Sequence, residues 1–201
     1  MLVFAQGFLV GFLIAAPVGP IGLLCIRRSL QGGWRLGFAS GLGAALADAG
    51  YAAVAAFGLN AASQFLRQHV REFQIVGAAI LVVLAVQTIR NSLRENTLAA
   101  PGVRAIAEAT ASTFLLTIVN PTTVLSFAAA FALIALQVGP LSKFFAALFV
   151  LGAFCGSAFW WLVLSLGFSA FRTRIKPAIL KWITAGSGVG LMGFAVWMLL
   201  A

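Results

Sequence analysis

The sequence predicts an all-α membrane protein with six transmembrane helices, arranged as two inverted three-helix repeats whose first and fourth helices are broken. Three observations lead to this prediction. Hydrophobic residues make up 62% of the 201 residues, and charged residues only 8%. The apolar residues fall into blocks of about 17–25 residues, the length that crosses a bilayer core. Proline interrupts two of these blocks at corresponding places in the two halves.

The composition argues against other classes of protein. A soluble helical bundle of this length needs far more polar surface. The formal net charge is +9, but the basic residues lie in short segments between apolar blocks. That distribution is typical of charges that set membrane topology, not of a nucleic-acid interface. We therefore expect the lipid bilayer as the surroundings and no nucleic-acid partner.

The basic residues also predict the orientation. We place the six spans at 4–26, 36–58, 73–89, 112–136, 144–168 and 179–200. The first, third and fifth loops and their flanks hold ten of the 13 lysines and arginines, and the opposite side holds three. The positive-inside rule then puts the odd loops in the cytoplasm and both termini outside. In the third loop, the spacing of Arg104 and Glu108 is compatible with a short interfacial helix and equally with a plain linker.

The two halves of the chain resemble each other. Residues 42–59 align without gaps on 151–168 with six identities in eighteen, and 15–25 align on 116–126 around a shared proline. Composition bias explains part of this similarity, but it does not readily explain the same order of a proline-broken helix and a Leu-Gly-Ala helix. We expect one membrane domain made of repeats 1–100 and 101–201. Since each repeat has three spans, the second is inverted relative to the first.

The first break is Pro17-Val18-Gly19-Pro20. Each proline lacks an N–H and leaves a carbonyl one turn earlier without its helical partner. In lipid such a carbonyl must be satisfied by protein or water. The break is therefore either a simple kink or a helix interruption that lines a polar cavity.

The second break, Asn120-Pro121-Thr122-Thr123, occupies the equivalent place in the other half. Asn-Pro suits a helix start, with asparagine as the N-cap and proline at the first helical position. The half-helices after both breaks would direct free N–H groups and positive dipole ends into the membrane, where they suit a carboxylate. The candidate substrate-binding residues are Pro17, Gly19, Pro20, Asn120, Pro121, Thr122 and Thr123.

Asp48 is the only acidic residue inside a predicted span. A charge at the bilayer centre is costly, so such residues usually face a cavity and mark a transport pathway. The alternative is an aspartate that serves packing alone. The helix around it carries small residues that let another helix approach closely. These candidate packing residues are Gly37, Gly41, Ala44 and Ala45.

In this order, these residues resemble the lysine-exporter (LysE/RhtB-type) family of amino-acid translocators. The resemblance is carried by PVGPIGLLCIRRSLQGGWRLGFASGLGAALADAGY (17–51) and FLLTIVNPTTVLSF (114–127). Two positions depart from the commoner family pattern: Ile21 replaces an asparagine after Pro-Gly-Pro, and Ile80 a tyrosine of the third helix. The resemblance implies export of an amino acid through the bacterial inner (plasma) membrane.

The resulting hypothesis is a secondary transporter that exports an amino acid or similar small zwitterion, by proton antiport, with Asp48 binding the proton or the substrate ammonium. A homo-oligomer is compatible with the sequence. No cofactor is expected, because no nucleotide-binding motif is present. One alternative is a membrane thiol-disulfide carrier using Cys25 and Cys155. Another is a cation or metal exporter, although the histidine and carboxylate cluster of a metal site is missing.

Overall fold

A computed structural model of the chain describes residues 2–17, 19–57, 69–92, 102–120, 123, 127, 142–171 and 177–200. This part of the chain is all-α and contains seven helices. They are α1 (Leu2–Ala15), α2 (Pro20–Gly32), α3 (Trp34–Ala56), α4 (Val70–Ser92), α5 (Val103–Ile118), α6 (Lys143–Ala170) and α7 (Pro177–Leu200). Pro121, Thr122 and the part of the predicted fourth span after residue 120, apart from residues 123 and 127, lie outside the described residues.

The first break lies where the sequence predicts it. Helix α1 ends at Ala15, α2 begins at Pro20, and the two axes are bent by 82°. Proline suits the first turn of α2 because the N–H that it lacks has no intrahelical partner there. The segment 27–35, predicted as a loop, is instead almost entirely helical. Only Gly33 interrupts it, with φ 80°, a conformation that glycine adopts without steric cost.

The fourth span also starts earlier than predicted. The prediction begins it at residue 112, whereas α5 begins at Val103. The guanidinium of Arg104 contacts the Glu108 carboxylate at 2.8 Å, and both side chains are exposed. These residues therefore form the first turns of a longer helix, and the plain-linker interpretation of this segment is wrong. The pair supports the exposed end of α5 weakly, as surface pairs at this spacing do.

Two helix pairs pack in parallel through glycine. Along α1, Gly7 and Gly11 lie against backbone atoms of α6, and Gly156 of α6 lies against the Phe8 carbonyl. A Cβ atom added at any of these three positions would come within 2.2 Å of a carbonyl oxygen. Helix α5 packs along α3 in the same way, since a Cβ atom on Gly43 would lie 2.1 Å from the Thr110 carbonyl oxygen. Only residues without a side chain permit such close helix contact.

Helices α3 and α6 pack against each other in antiparallel orientation. At one end the backbone N–H of Trp34 donates to Ser169 Oγ at 3.0 Å, and further along the ring of Trp161 lies over Gly41. Helix α4 packs mainly on α7, and α2 contacts α3, α6 and α7. The larger of the two buried clusters combines residues of α1, α2, α3, α4, α5, α6 and α7.

Within the described ranges, α3 and α6 are each long and apolar enough to cross a membrane. The bent pair α1 and α2 gives a third such span when it is counted as one broken helix. Helices α4 and α7, of 23 and 24 residues, cover the predicted third and sixth spans. The predicted spans that the structure describes are therefore helical, although the positions of their ends differ.

Candidate functional site

Asp48 lies in the middle of α3 with only 3% of its surface exposed. Its Oδ2 atom accepts a hydrogen bond of 2.6 Å from Ser157 Oγ on α6. The same Ser157 oxygen accepts from the indole Nε1 of Trp161 at 3.1 Å. Asp48 thus has a neutral hydroxyl as its partner in the described part of the chain, and no described lysine or arginine is bonded to it.

The small residues that precede Asp48 lie in contact with other helices. A Cβ atom added at Gly37 would lie 1.8 Å from Ser29 Oγ of α2, and one at Gly41 would lie 2.2 Å from Trp161 Cβ of α6. Ala44 and Ala45 are almost completely buried in the main core cluster. This face of α3 therefore contacts both the second half of the broken helix and α6.

The first break borders open space among the described residues. Pro17 is exposed, and a Cβ atom built on Gly19 would meet no described atom within 4 Å. Pro20 is buried at the start of α2, and the N-cap residue Gly19 supplies no side-chain cap. A first turn without a side-chain cap leaves N–H groups that can bind an acceptor.

The second break is stabilised by hydrogen bonds inside the protein. Because Pro121 has no N–H, it cannot donate to the Thr117 carbonyl one turn earlier. That carbonyl instead accepts from the Asn120 N–H at 3.1 Å. The hydroxyl of Tyr51 on α3 donates to the carbonyl of Ile118. The Thr117 and Ile118 carbonyls, which precede this break, thus both have partners among the described residues. Of the polar side chains at this break, Thr123 is buried and Asn120 half-buried.

Tyr51 was not singled out from the sequence, although it is the only tyrosine in the chain. It lies three residues after Asp48, on the same face of α3. Ala44 and Ala45, one turn before Asp48, share the main core cluster with Ala15 and Leu116, which precede the two breaks. The residues before both breaks therefore belong to the same buried cluster as the turn of α3 that precedes Asp48.

Arg28 is a second functional candidate that the sequence did not reveal, because it was counted only as a charge of the first loop. It is half-buried on α2. Its Nη1 atom donates to Ser40 Oγ at 2.8 Å, Thr113 Oγ1 at 3.0 Å and the Ala109 carbonyl at 3.1 Å. Its Nη2 atom donates to Ser112 Oγ at 2.9 Å. One guanidinium thereby joins α2, α3 and α5.

The two alternatives from the sequence, a thiol-disulfide carrier and a cation or metal exporter, have fewer structural features in their favour than an amino-acid exporter. Cys25 lies buried on α2 and Cys155 half-buried on α6, and the two thiols are not bonded to each other. Among the residues described, no three His, Cys, Asp or Glu side chains group in a way that could hold a metal ion. Among the described residues, the side chains packed around α3 include the Asp48 carboxylate, the Arg28 guanidinium and several hydroxyls.

Comparison with known proteins gives a consistent result. Residues 12–201 match the family described as "LysE type translocator". The chain is 27% identical over 202 residues to the protein named "Putative amino acid efflux protein YcgF" of Bacillus subtilis (strain 168), an alignment that covers 98% of this chain and 95% of that protein. No solved structure matches the chain. Both breaks, Asp48 and Arg28 lie within the matched region.

Proposed function

Since the chain belongs to the LysE type translocator family and is therefore a helical membrane transport protein, we propose that it exports an amino acid or similar small zwitterion by proton antiport. The membrane is the bacterial inner membrane. The substrate binds between the two breaks, and Asp48 exchanges a proton for the substrate ammonium. The amino acid efflux name of the Bacillus subtilis relative supports this substrate class.

The observation that carries the proposal is the environment of Asp48. A buried carboxylate without a positive partner is costly, and it becomes tolerable when a proton or a cation neutralises it. The Ser157 hydroxyl orients the carboxylate but does not supply that charge. A proton and an ammonium group are then mutually exclusive occupants of the same carboxylate. Inward movement of a proton on Asp48 therefore accompanies outward release of the amine, which is the simplest form of antiport.

The substrate carboxylate is assigned to the helix N-termini at the breaks. At the first break, Gly19 gives the start of α2 no side-chain cap, and a Cβ atom built on it would meet no described atom within 4 Å. Helix N-termini bind anions through free N–H groups and the helix dipole. At the second break we assign the same role to Asn120, Pro121, Thr122 and Thr123. The two ends of a zwitterion would then contact opposite charges.

Two inverted repeats, 1–100 and 101–201, provide the framework for alternating access. The parallel pair α1 and α6 has a counterpart in the parallel pair α5 and α3, because α1 corresponds to α5 and α6 to α3 in the sequence alignment. Asp48 and Ser157 occupy equivalent positions in that alignment and bond to each other. Contact between equivalent residues is expected close to a two-fold axis. Such an axis in the membrane plane, with broken helices around the substrate site, is typical of secondary transporters.

In this proposal, the small-residue face of α3 allows the close helix packing that movement between the two repeats requires. Gly37 and Gly41 keep α3 close to α2 and α6, and Ala44 and Ala45 fill the core beside the breaks. Rocking of one repeat against the other moves Asp48 between access from the two sides. The flat contact surfaces let the helices slide without displacing large side chains.

The orientation has its own test. We expect Cys substitutions at Ser92 and Thr173 to react with a membrane-impermeant thiol reagent only from the cytoplasm, and one at Gln64 only from outside, because of the ten-to-three distribution of basic residues. The background is the Cys25→Ser, Cys155→Ser double variant, which should retain full transport. Labelling of position 64 from the cytoplasm would overturn the orientation, and loss of transport in the double variant would favour the thiol-disulfide carrier.

Transport itself is tested with the purified protein in proteoliposomes. Each of the 20 standard amino acids is loaded in turn, and efflux is measured with and without an opposing proton gradient. The proposal predicts uphill movement of at least one amino acid, abolished when an uncoupler collapses the gradient. Absence of exchange for all of them contradicts the proposed function.

A further inference from the structure

Arg28 holds a positive charge inside the bundle and has no acidic partner among the described residues. All four acceptors of its guanidinium in the described structure are neutral: three hydroxyl oxygens and one backbone carbonyl. Buried or half-buried charges in proteins are normally paired, since removing an ion from water is costly. Neutral hydrogen bonds recover part of that cost but leave the charge itself uncompensated.

The chain has few acids that could neutralise it. It contains only four acidic residues. Asp48 accepts from Ser157, Glu72 is exposed at the start of α4, and Glu108 pairs with Arg104 on the outer surface of α5. Glu95 lies outside the described residues. None of the three described carboxylates forms an ion pair with the Arg28 guanidinium, whose described acceptors are all neutral.

The hydroxyls around Arg28 are arranged to accept and not to donate. Ser40 Oγ donates its own proton to the Leu36 carbonyl at 3.1 Å. Ser112 and Thr113 donate theirs to the Ala109 carbonyl at 3.1 and 2.9 Å. Each hydroxyl thus presents a lone pair to the guanidinium. An arriving carboxylate can replace these neutral acceptors with a bidentate pair of hydrogen bonds between two ionised groups, which also neutralises the charge of the guanidinium.

We propose that Arg28, which is oriented by Ser40, Ser112 and Thr113, forms an entry site for the carboxylate of the outgoing substrate. This inference rests on the proposed function and extends it. Arg28 is half-buried, so an anion can reach it from the end of the bundle where α2 turns into α3. The site precedes Asp48 on the path through the protein and selects molecules that carry a carboxylate.

Arg28 and Asp48 act in succession, not on one molecule at the same time. Ser40, which bonds to Arg28, and Asp48 are eight residues apart on α3, or about 12 Å along the helix axis. The carboxylate and ammonium of an α-amino acid are attached to one carbon atom and cannot span that separation. The carboxylate is therefore transferred from Arg28 towards the helix N-termini as the ammonium reaches Asp48.

Selectivity between an amino acid and its amide tests this site. The panel of 20 amino acids first identifies the one that the wild type exchanges fastest. Counterflow of the labelled compound is then inhibited with the unlabelled amino acid and with its carboxamide, in wild type, Arg28→Gln, Arg28→Lys and Arg35→Gln. Arg35 is the matched control: it is exposed, in the same predicted loop region, and stacks over Trp34 at 5.7 Å.

We expect the preference of the wild type for the acid over the amide to fall about tenfold in Arg28→Gln, the magnitude of one lost hydrogen bond to a charged group. Affinity for the amide stays unchanged. Arg28→Lys keeps the charge without the bidentate geometry and loses part of the preference. Arg35→Gln keeps the full preference for the acid over the amide.

The outcomes distinguish a binding role of Arg28 from a purely structural role, in which Arg28 only clamps α2, α3 and α5 together. A clamp would change the amount of folded protein or the maximal rate, but not the ratio of the two affinities. A ratio that stays within threefold of wild type in Arg28→Gln overturns the inference while the proposed function stands. If Arg28→Gln does not fold, the same criterion applies to Arg28→Lys with a limit of twofold. A wild type that exchanges no amino acid contradicts the proposed function, and the role of Arg28 with it.

Discussion

Two charged side chains, Arg28 and Asp48, occupy different regions around α3 but share one property. Each is bonded to neutral groups in the described structure, and neither has a partner of opposite charge there. Asp48 is enclosed between α3 and α6, whereas Arg28 is half-buried where α2, α3 and α5 meet. The difference in exposure suits Arg28 to meet a substrate first and Asp48 to hold it away from water.

Both charges also break the symmetry of the two halves. The alignment pairs Asp48 with Ser157, and the same offset that pairs Pro20 with Pro121 pairs Arg28 with Ala129. In the proposed inverted repeat the two halves supply similar frameworks, and only the first half carries a charge at these two aligned positions. A carboxylate and a guanidinium in one repeat alone would distinguish the two faces of such a transporter.

The largest expected effect is on stability, and it comes from a substitution that forces the helices around Arg28 apart. Gly43→Ala places a Cβ atom 2.1 Å from the Thr110 carbonyl oxygen and forces α5, with the hydroxyls that hold Arg28, away from α3. Overpacking of this kind costs about 1–3 kcal/mol, which corresponds to a melting temperature lower by about 2–12 °C. Gly50→Ala on the same helix is the control, because a Cβ atom there meets no atom within 4 Å. Equal melting temperatures for the two variants would show that the α3–α5 contact is looser than described.

A smaller effect is expected when only the partner of Asp48 changes. Ser157→Ala removes the hydroxyl that donates to Oδ2 and leaves the carboxylate without its described donor. Uphill export should slow about tenfold, the magnitude expected for a hydrogen bond to a charged group. Ser187→Ala is the control, since that buried hydroxyl donates to the Ile183 carbonyl within α7. Initial rates in proteoliposomes measure both variants, and a Ser157→Ala rate within twofold of wild type would remove Ser157 from the site.

The smallest effect concerns Tyr51, which connects the Asp48 helix to the second break. Tyr51→Phe loses the bond to the Ile118 carbonyl but keeps the ring beside Phe127, with centroids 6.4 Å apart. We expect a loss of about 1 kcal/mol in stability and export within threefold of wild type. Tyr51→Leu also loses the ring contact and should melt at a lower temperature. Identical melting curves for the two variants would argue that the ring contributes nothing to this contact.

Much of the fold could be predicted because it depends on local rules. Apolar length predicts helices, and proline predicts the break before Pro20 and the end of α5 near Asn120. The ends were less predictable. Residues 27–32 combine arginine, leucine and glutamine, which favour helix, so α2 continues through a segment whose charges suggested a loop. Gly33, and not the basic residues, ends that helix.

The site was only partly predictable, because its contacts are between distant segments. Asp48 stood out as a lone acid in an apolar block, but its bond to Ser157 joins residues 109 positions apart. Arg28 resembled any topology-setting arginine. The sequence nonetheless contains a signal that Arg28 faces inward. Arg28 lies four residues after Leu24, on the helix face that enters the core, and Ser112 and Thr113 provide hydroxyls in an otherwise apolar helix. Charge counts over loops do not use that helical spacing.

The most direct test of the account replaces Asp48 with asparagine, which keeps the shape and removes the ionisable group. Two activities are measured on the same reconstituted Asp48→Asn protein: uphill export under a proton gradient, and counterflow at equal pH. We predict normal folding, loss of uphill export and surviving counterflow, because the helix N-termini still hold the substrate carboxylate while no proton can be exchanged. Preserved uphill export in Asp48→Asn would contradict the coupling role of Asp48.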